Sequence, residues 1–309
     1  MELVVNPPQQ VFDQLIHWAA VTHGWGHMPY DYQFYAKGFD GYWFICVVDP
    51  SKDDSTNFVA GGSLARCTDG NGNPLYSIGL FYCQEEYRGQ GYGKPVFKAM
   101  MDIVGEDNCV LMAAPDMSQK YADIFGFKEM PVYWHHKLII VPSRMDFAEK
   151  ISDEYITKNW TEVDPDQLNV YDKSVCFMDR KNRMQLWFSQ HQVYTKVAFD
   201  SNQNIMGYCT IRVVNLNRLV VDPFYAENPE VAVQLLTDVC KMIPDFETFE
   251  LLLFRFPEIN EGIEVMISQL CPIGSFTIRV ANRTQFTRKL LESRDEVVYS
   301  VACTTHGFV

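Results

Sequence analysis

SIGLFYCQEEYRGQGYGKPVFKAMMDIVG, residues 77–105, reads as a strand, a glycine turn and a helix. Ser77–Cys83 is apolar, aromatic and rich in β-favouring residues, which suits a buried strand. Glu85–Gly93 turns polar and then glycine-rich. Lys94–Val104 is amphipathic: Val96, Met100, Ile103 and Val104 share one face, while Lys94, Lys98 and Asp102 repeat at i, i+4 on another. Pro95 lies in the first turn, where its missing N–H costs nothing, and Gly105 is a natural stop. The turn therefore sets glycines at a helix N-terminus. N–H groups there point outward, carry partial positive charge and lack intrahelical partners. That is an anion site, and phosphate is its usual guest.

Working outward, Gly41–Val48 and Phe58–Cys67 read as strands, the second with paired glycines that indicate a bulge or a close approach. The turn Thr68–Pro74 (TDGNGNP) joins them to Ser77–Cys83 in an antiparallel meander. Cys109–Ala114 is a short buried strand after the helix, which implies a parallel pair with a right-handed crossover. Gln10–Thr22 is a helix, and the aromatic, histidine-rich loop HGWGHMPYDYQFY follows at 23–35, with Asp31–Tyr35 opening a short helix. Asp116–Phe125 reads as a helix closed by Gly126-Phe127, and Tyr133–Val141 as a strand. Pro142–Glu149 is the expected domain boundary. The second half repeats the order: helices near Asp164–Tyr171 and Arg180–Phe188, then strands Val193–Phe199, Ile205–Arg212 and Arg218–Val221. A helix capped by Asn228-Pro229 follows, then strand Phe249–Phe254, helix Asn260–Leu270, and strands Thr277–Val280 and Val297–Thr304. This order points to an internal duplication.

The chain has 309 residues, enough for two domains, and 47 % apolar residues to bury a large core. Its net charge of −13 argues against general nucleic-acid binding and is compatible with a cationic substrate, although an acidic surface more often serves solubility. Nine cysteines lie without CxxC spacing, and Cys46, Cys83, Cys109, Cys176, Cys209 and Cys240 sit in apolar runs, as small core residues do in a reducing compartment. No stretch approaches the ~20 apolar residues of a membrane span, and no apolar leader is evident. No metal is expected, because no His/Cys cluster has ligand spacing. The chain is expected in the cytoplasm, with the nucleus left open; its oligomeric state is not legible.

At RGQGYG, the spacing of Arg88, Gly91 and Gly93, with Gly89 as a frequent extra, resembles the GNAT superfamily of acetyl-CoA-dependent N-acetyltransferases. The strand before it, the helix after it and the later Gly126-Phe127 extend the resemblance over about residues 10–141. VYDKSVCFMDRKNRMQLWF and GYCTIRVVNLNRLVVDPFYAENPEVAVQLL resemble the C-terminal domain of a tandem subgroup, and HGWGHMPYD its substrate loop. The resemblance implies an α+β (mixed α/β) GNAT fold: a mixed, mostly antiparallel sheet flanked by helices, then a second GNAT-like domain. It divides the chain into a catalytic domain at 1–142 and a degenerate one at 150–309. It implies acetyl-CoA as cofactor and an amine of a small molecule or peptide as acceptor. The alternative is a non-catalytic acyl-CoA-binding sensor.

The N–H groups of Arg88, Gly89, Gln90, Gly91, Tyr92, Gly93 and Lys94 are expected to bind the pyrophosphate, since glycine lets backbone approach closely. The resemblance adds Phe81, Tyr82 and Cys83, whose strand edge would take the pantetheine amides. An N–H near Cys83 would stabilise the oxyanion by analogy. The family's tyrosine acid falls on Ala122; Tyr121 lies one place earlier, ~100° away on a helix, and is an acid candidate or a core tyrosine. Base candidates are Asp31, His27, His23 and Glu85. Trp25, His27 and Asp31 are placed at the acceptor, with Asp31 either binding a cationic amine or capping a helix. Glu86 reads as structural, and at most one of His135 and His136 faces the cleft. YAENP at 225–229 replaces the glycine motif in the second half, so no anion is expected there.

Overall fold

The computed structural model describes residues 1–147, 154–303 and 305–307. The first half contains β1 (Glu2–Val5), α1 (Gln9–His23), α2 (Asp31–Gly38), β2 (Gly41–Val48), β3 (Phe58–Thr68) and β4 (Pro74–Cys83). α3 (Gly93–Val104), β5 (Asn108–Ala113), α4 (Pro115–Phe125) and β6 (His135–Ile140) complete it. The second half runs β7 (Ile156–Asn159), α5 (Pro165–Cys176), α6 (Lys181–Phe188), β8 (Val193–Phe199), β9 (Ile205–Val214) and β10 (Arg218–Ala226). Then come α7 (Pro229–Cys240), β11 (Leu251–Pro257), α8 (Gly262–Leu270), β12 (Phe276–Phe286) and β13 (Val298–Ser300).

The strands form one sheet in the order β1-β2-β3-β4-β5-β12-β6-β11-β10-β9-β8-β7, with β13 paired to β10. The meander β2-β3-β4 is antiparallel and β4-β5 parallel, as the turn signals and the crossover helix require. β12 crosses between the halves: Arg283–Phe286 pair with β5, and Phe276–Asn282 pair with β6. β6 itself pairs with β12 and β11, both from the second half. Thr277–Val280 thus underestimated this strand, which continues through polar residues to Phe286; the buried Gln285 amide donates to Ser118 O and Phe127 O and so tolerates the interior. Likewise the strand at Arg218 continues to Ala226, with Pro223 placed where the register against β9 shifts. The last strand is shorter than Val297–Thr304; Thr304, like Lys150–Asp153 and the end of the Pro142–Glu149 boundary, lies outside the described residues.

One sheet face carries two cores. Val96, Phe97, Met100 and Val104 of α3 pack there over the first half, and α7 and α8 over the second. The opposite face carries a single core shared by both halves, in which Phe12 and Leu15 of α1 join Trp187 and Phe188 of α6. That shared layer brings second-half residues onto the first half's loops.

Candidate active site

β4 is paired on both sides for only part of its length. Against β5 the parallel register runs from Leu75–Asn108 to Ile78–Leu111. Against β3 it continues to Cys83–Ala60, with a shift between Gly61 and Ser63 where Leu80 takes φ 52°. Gln84 N–H donates to Val59 O at 3.0 Å, so the antiparallel alternation turns the N–H and C=O of Cys83 away from β3. Arg88 Nε donates to that Cys83 carbonyl at 3.1 Å, which fixes its direction. By the same parity Phe81 and Cys83 offer backbone groups to an open wedge between β4 and β5.

The glycine motif closes one end of the wedge. Gly89 and Gly91 have φ of 77° and 87°, a region L side chains rarely adopt, and no atom lies within 4 Å of a Cβ built on either. A Cβ at Gly93 would lie 3.1 Å from the Phe81 ring. α3 starts at Gly93 with no side-chain cap, and among the described residues no backbone acceptor takes the N–H of Gly89, Gln90, Gly91 or Gly93. The two ends of the motif differ from expectation: Arg88 N–H donates to Glu85 O and Lys94 N–H to Gly91 O, because the flanking turns use them. Tyr92 packs edge-on against Tyr87.

Tyr121 faces inward from α4, stacked on Phe97 and in contact with Phe125 and Phe127. Burial pushes its hydroxyl up to about 12, which keeps it protonated. Cys83 is half-buried, and burial raises its thiol against the pull of Arg88.

The opposite side of the wedge is built by the α1–α2 loop. The Tyr82 ring meets His23 and Trp25, and its hydroxyl lies 3.2 Å from Thr22 Oγ1. Arg88 Nη2 lies 2.8 Å from His23 Nε2, so this histidine is engaged at the mouth. Glu85 is exposed and faces Arg88 at 3.7 Å. His27 is buried, 3.4 Å from Asp31 Oδ2 through Nδ1 and 3.5 Å from Thr305 Oγ1 through Nε2.

Asp31 departs from its expected roles. It is fully buried in the first turn of α2, takes Arg212 Nη1 at 2.8 Å and Nη2 at 3.3 Å, and accepts from Met28 N–H at 3.0 Å. Burial pushes the carboxyl up, but Arg212 and His27 outweigh it and hold it at about 2. A carboxylate so engaged has no oxygen free for an amine and is too weak a base for its proton. It is also not the helix cap, since α2 has no side-chain cap bond. Asp222 shares Arg212 at 3.4 Å; burial and Asp31 raise it, against Arg212, to about 7.

Sequence reading missed the residues that the second half contributes. Arg212 was legible only as a lone cation in an apolar strand. Thr305 and His306 gave no signal. Ser63 Oγ lies 2.8 Å from His306 Nε2 and Ser77 Oγ 3.0 Å from Nδ1, with the ring buried and held neutral at about 3 by burial. Thr305 O leaves no room for a Cβ at Gly79. Of the paired histidines, His135 is buried on this sheet face and His136 packs on Phe256 on the other. Among the described residues no cluster of His, Cys, Asp or Glu is set to hold a metal, and no helix is long and apolar enough to cross a membrane.

The corresponding wedge of the second half is filled. β10 pairs in parallel with β11 only from Arg218 to Val220, and β13 then pairs with Phe224 and Tyr225. Asn228 Oδ1 accepts Val231 N–H at 2.9 Å and caps α7, Pro229 removes another N–H, and Glu227 pairs with Arg294 at 2.7 Å. A cavity of about 240 Å³ in this half lies elsewhere, between α5 and α6 on Trp160, Met184, Phe188 and Tyr208.

A family model described as the acetyltransferase (GNAT) family matches residues 12–127, and one described as an acetyltransferase (GNAT) domain matches residues 168–270. An uncharacterized protein of Caenorhabditis elegans is 23 % identical over 195 residues, which span 62 % of this chain and 62 % of that protein. A candidate acetyltransferase of Pyrococcus horikoshii shares the fold with TM-score 0.69 and 13 % identity, covering 99 % of this chain and 96 % of its own. A tandem GNAT protein from the clavulanic acid biosynthesis pathway follows with TM-score 0.62 and 13 % identity, over 92 % and 97 % of the two chains.

Proposed function

The chain is a tandem GNAT protein, an N-acyltransferase by family, and from that premise we propose that its first half moves an acetyl group from acetyl-CoA to a primary amine of a small molecule or a lysine-like acceptor. The observation that carries this reading is the open β4–β5 wedge ending on the uncapped N-terminus of α3. The donor supplies an acyl group activated as a thioester. The free N–H groups of Gly89, Gln90, Gly91 and Gly93 suit its pyrophosphate, and no Cβ stands in the way. The outward edge of Phe81–Cys83 suits the pantetheine amides as an added strand. The Cys83 N–H, turned into the wedge, is placed to stabilise negative charge on the acyl oxygen, a role worth about 10²–10³ in rate.

The acceptor amine must lose a proton. Of the base candidates, His23 is held by Arg88, Glu85 faces solvent and Asp31 is bound to Arg212. His27 remains, with Nδ1 towards Asp31 and Nε2 towards the segment over β4. His27 takes the proton directly or through water, and Asp31 orients its ring as a positioning residue. Tyr121 stays protonated on the α3–α4 side and is the candidate proton donor to the departing thiolate.

Coenzyme A release against a panel of amines and peptides tests the reading. Turnover with at least one acceptor is expected, abolished by Gly91→Glu. A melting shift with acetyl-CoA but silence across the panel would favour a sensor, and absence of both would remove the cofactor assignment.

A further inference from the structure

Three cations stand in register across the sheet. Arg279 of β12 is opposite Lys137 of β6, and Lys137 is opposite Arg255 of β11. Directly opposed residues project to the same face with Cβ atoms about 4.5–5.5 Å apart, and like charges so placed repel. Leu138, Ile140, Leu252, Phe254 and Phe256 alternate with them into the α7–α8 core, so the cations face the other side, that of α1 and α2. Arg218 of β10 joins them, its one acidic neighbour among the described residues being Glu250 at 4.0 Å. Among the described residues, Lys137, Arg255 and Arg279 have no carboxylate and no side-chain hydrogen bond. His135, two residues along β6, is buried with neither ring nitrogen bonded.

This arrangement costs stability as it stands. Burial, then Arg255, Arg218 and Arg279, push Lys137 down to about 8, and burial pushes Arg255 down to about 10. Both residues are nonetheless only half-buried and Arg279 is exposed, so the row is accessible to solvent and not sealed in a core. A chain with net charge −13 has many carboxylates to offer, yet among the described residues only Glu250 comes within 4.0 Å, at the Arg218 end of the row. The row also adjoins the candidate acceptor side. Arg218 Nη1 packs 2.9 Å from where a Cβ would stand on Gly24, between His23 and Trp25, the residues on Tyr82. It lies on the face away from α3, so it is separate from the glycine cradle.

We propose that Arg218, Lys137, Arg255 and Arg279 form an anion-binding subsite for the acceptor, so that the acceptor is an amine that also bears a carboxylate or phosphate group. This rests on the acyltransferase reading for its amine and on the cation row for its anion. An anionic group there would satisfy the unpaired cations and orient the amine towards the wedge.

Two experiments separate the parts. The first needs no chemistry: the full chain carrying Gly91→Glu, which blocks the cradle, is melted against inorganic phosphate and against succinate at fixed ionic strength. A saturable rise with at least one anion is expected, and the better anion identifies phosphate or carboxylate as the acceptor's group. Lys137→Met should raise the melting temperature without anion, by relieving repulsion, and abolish the anion effect; the exposed Arg279→Gln should weaken it with the fold untouched. No anion effect, an unchanged effect in Lys137→Met, or a lowered melting temperature in that variant would overturn the site. The second compares kcat/KM for matched amines with and without the acidic group. A preference of about tenfold or more is expected, lost in Arg279→Gln while KM for acetyl-CoA stays put. Equal use of both amines would overturn the proposal, whereas absence of all turnover with an intact anion effect would overturn the acyltransferase reading alone.

Discussion

β4 and β10 each have an antiparallel neighbour on one side, a briefly parallel one on the other, and a register shift before their C-terminal ends. Beyond the shift they part. β4 leaves Phe81–Cys83 open and leads through positive-φ glycines to an uncapped helix. β10 receives β13 into the gap and leads to a helix capped by Asn228. Backbone groups must find partners. The second half supplies them from its own strands, while in the first half those of the glycine turn have no backbone partner among the described residues. On the function proposed above, cofactor binding belongs to the open wedge, and the second half supports the acceptor side through Arg212 and the segment at Thr305–His306.

The largest effect expected on this comparison is that of Gly91→Glu. A carboxylate at the α3 N-terminus, on a residue at φ 87°, should eliminate the melting shift with acetyl-CoA; a retained shift would place the donor elsewhere. Arg212→Met removes the ion pair by which the second half holds Asp31, and leaves Asp31 and Asp222 buried beside each other. It should lower unfolding stability in denaturant by about 3–5 kcal/mol, and a loss under 1 kcal/mol would show that the cross-half pair is replaceable. Tyr121→Phe should reduce kcat up to about 10²-fold with acetyl-CoA affinity unchanged; an unchanged kcat returns Tyr121 to packing alone. Asn228→Ala should cost about 1 kcal/mol of stability and create no second acetyl-CoA site.

A pH series sharpens the view of the open face. Lys137 is lowered from 10.5 to about 8, so between these values the unfolded chain holds the proton more tightly. Stability from this group should therefore rise as pH climbs from about 8 towards 10.5, and the rise should vanish in Lys137→Met.

Much of the first half was legible because its signals are local. Alternation, the turn at Thr68–Pro74, Pro95 and the glycines fix strand, turn and helix within one stretch, and the positive φ of Gly89 and Gly91 fits the glycine turn read there. What sequence could not supply is partnership between distant strands. Alternation says which face a residue takes but not which strand lies beside it. β12 therefore went unseen between β5 and β6, and with it the alignment of Arg279, Lys137 and Arg255. Asp31 was found by its loop and misjudged, because its partner Arg212 belongs to the other half.

The stoichiometry of acetyl-CoA binding, measured by titration calorimetry on the full chain, tests the unequal wedges most directly. One site per chain, lost with Gly91→Glu and untouched by Asn228→Ala, is the predicted result. Two sites per chain, or a single site that survives Gly91→Glu, would contradict it.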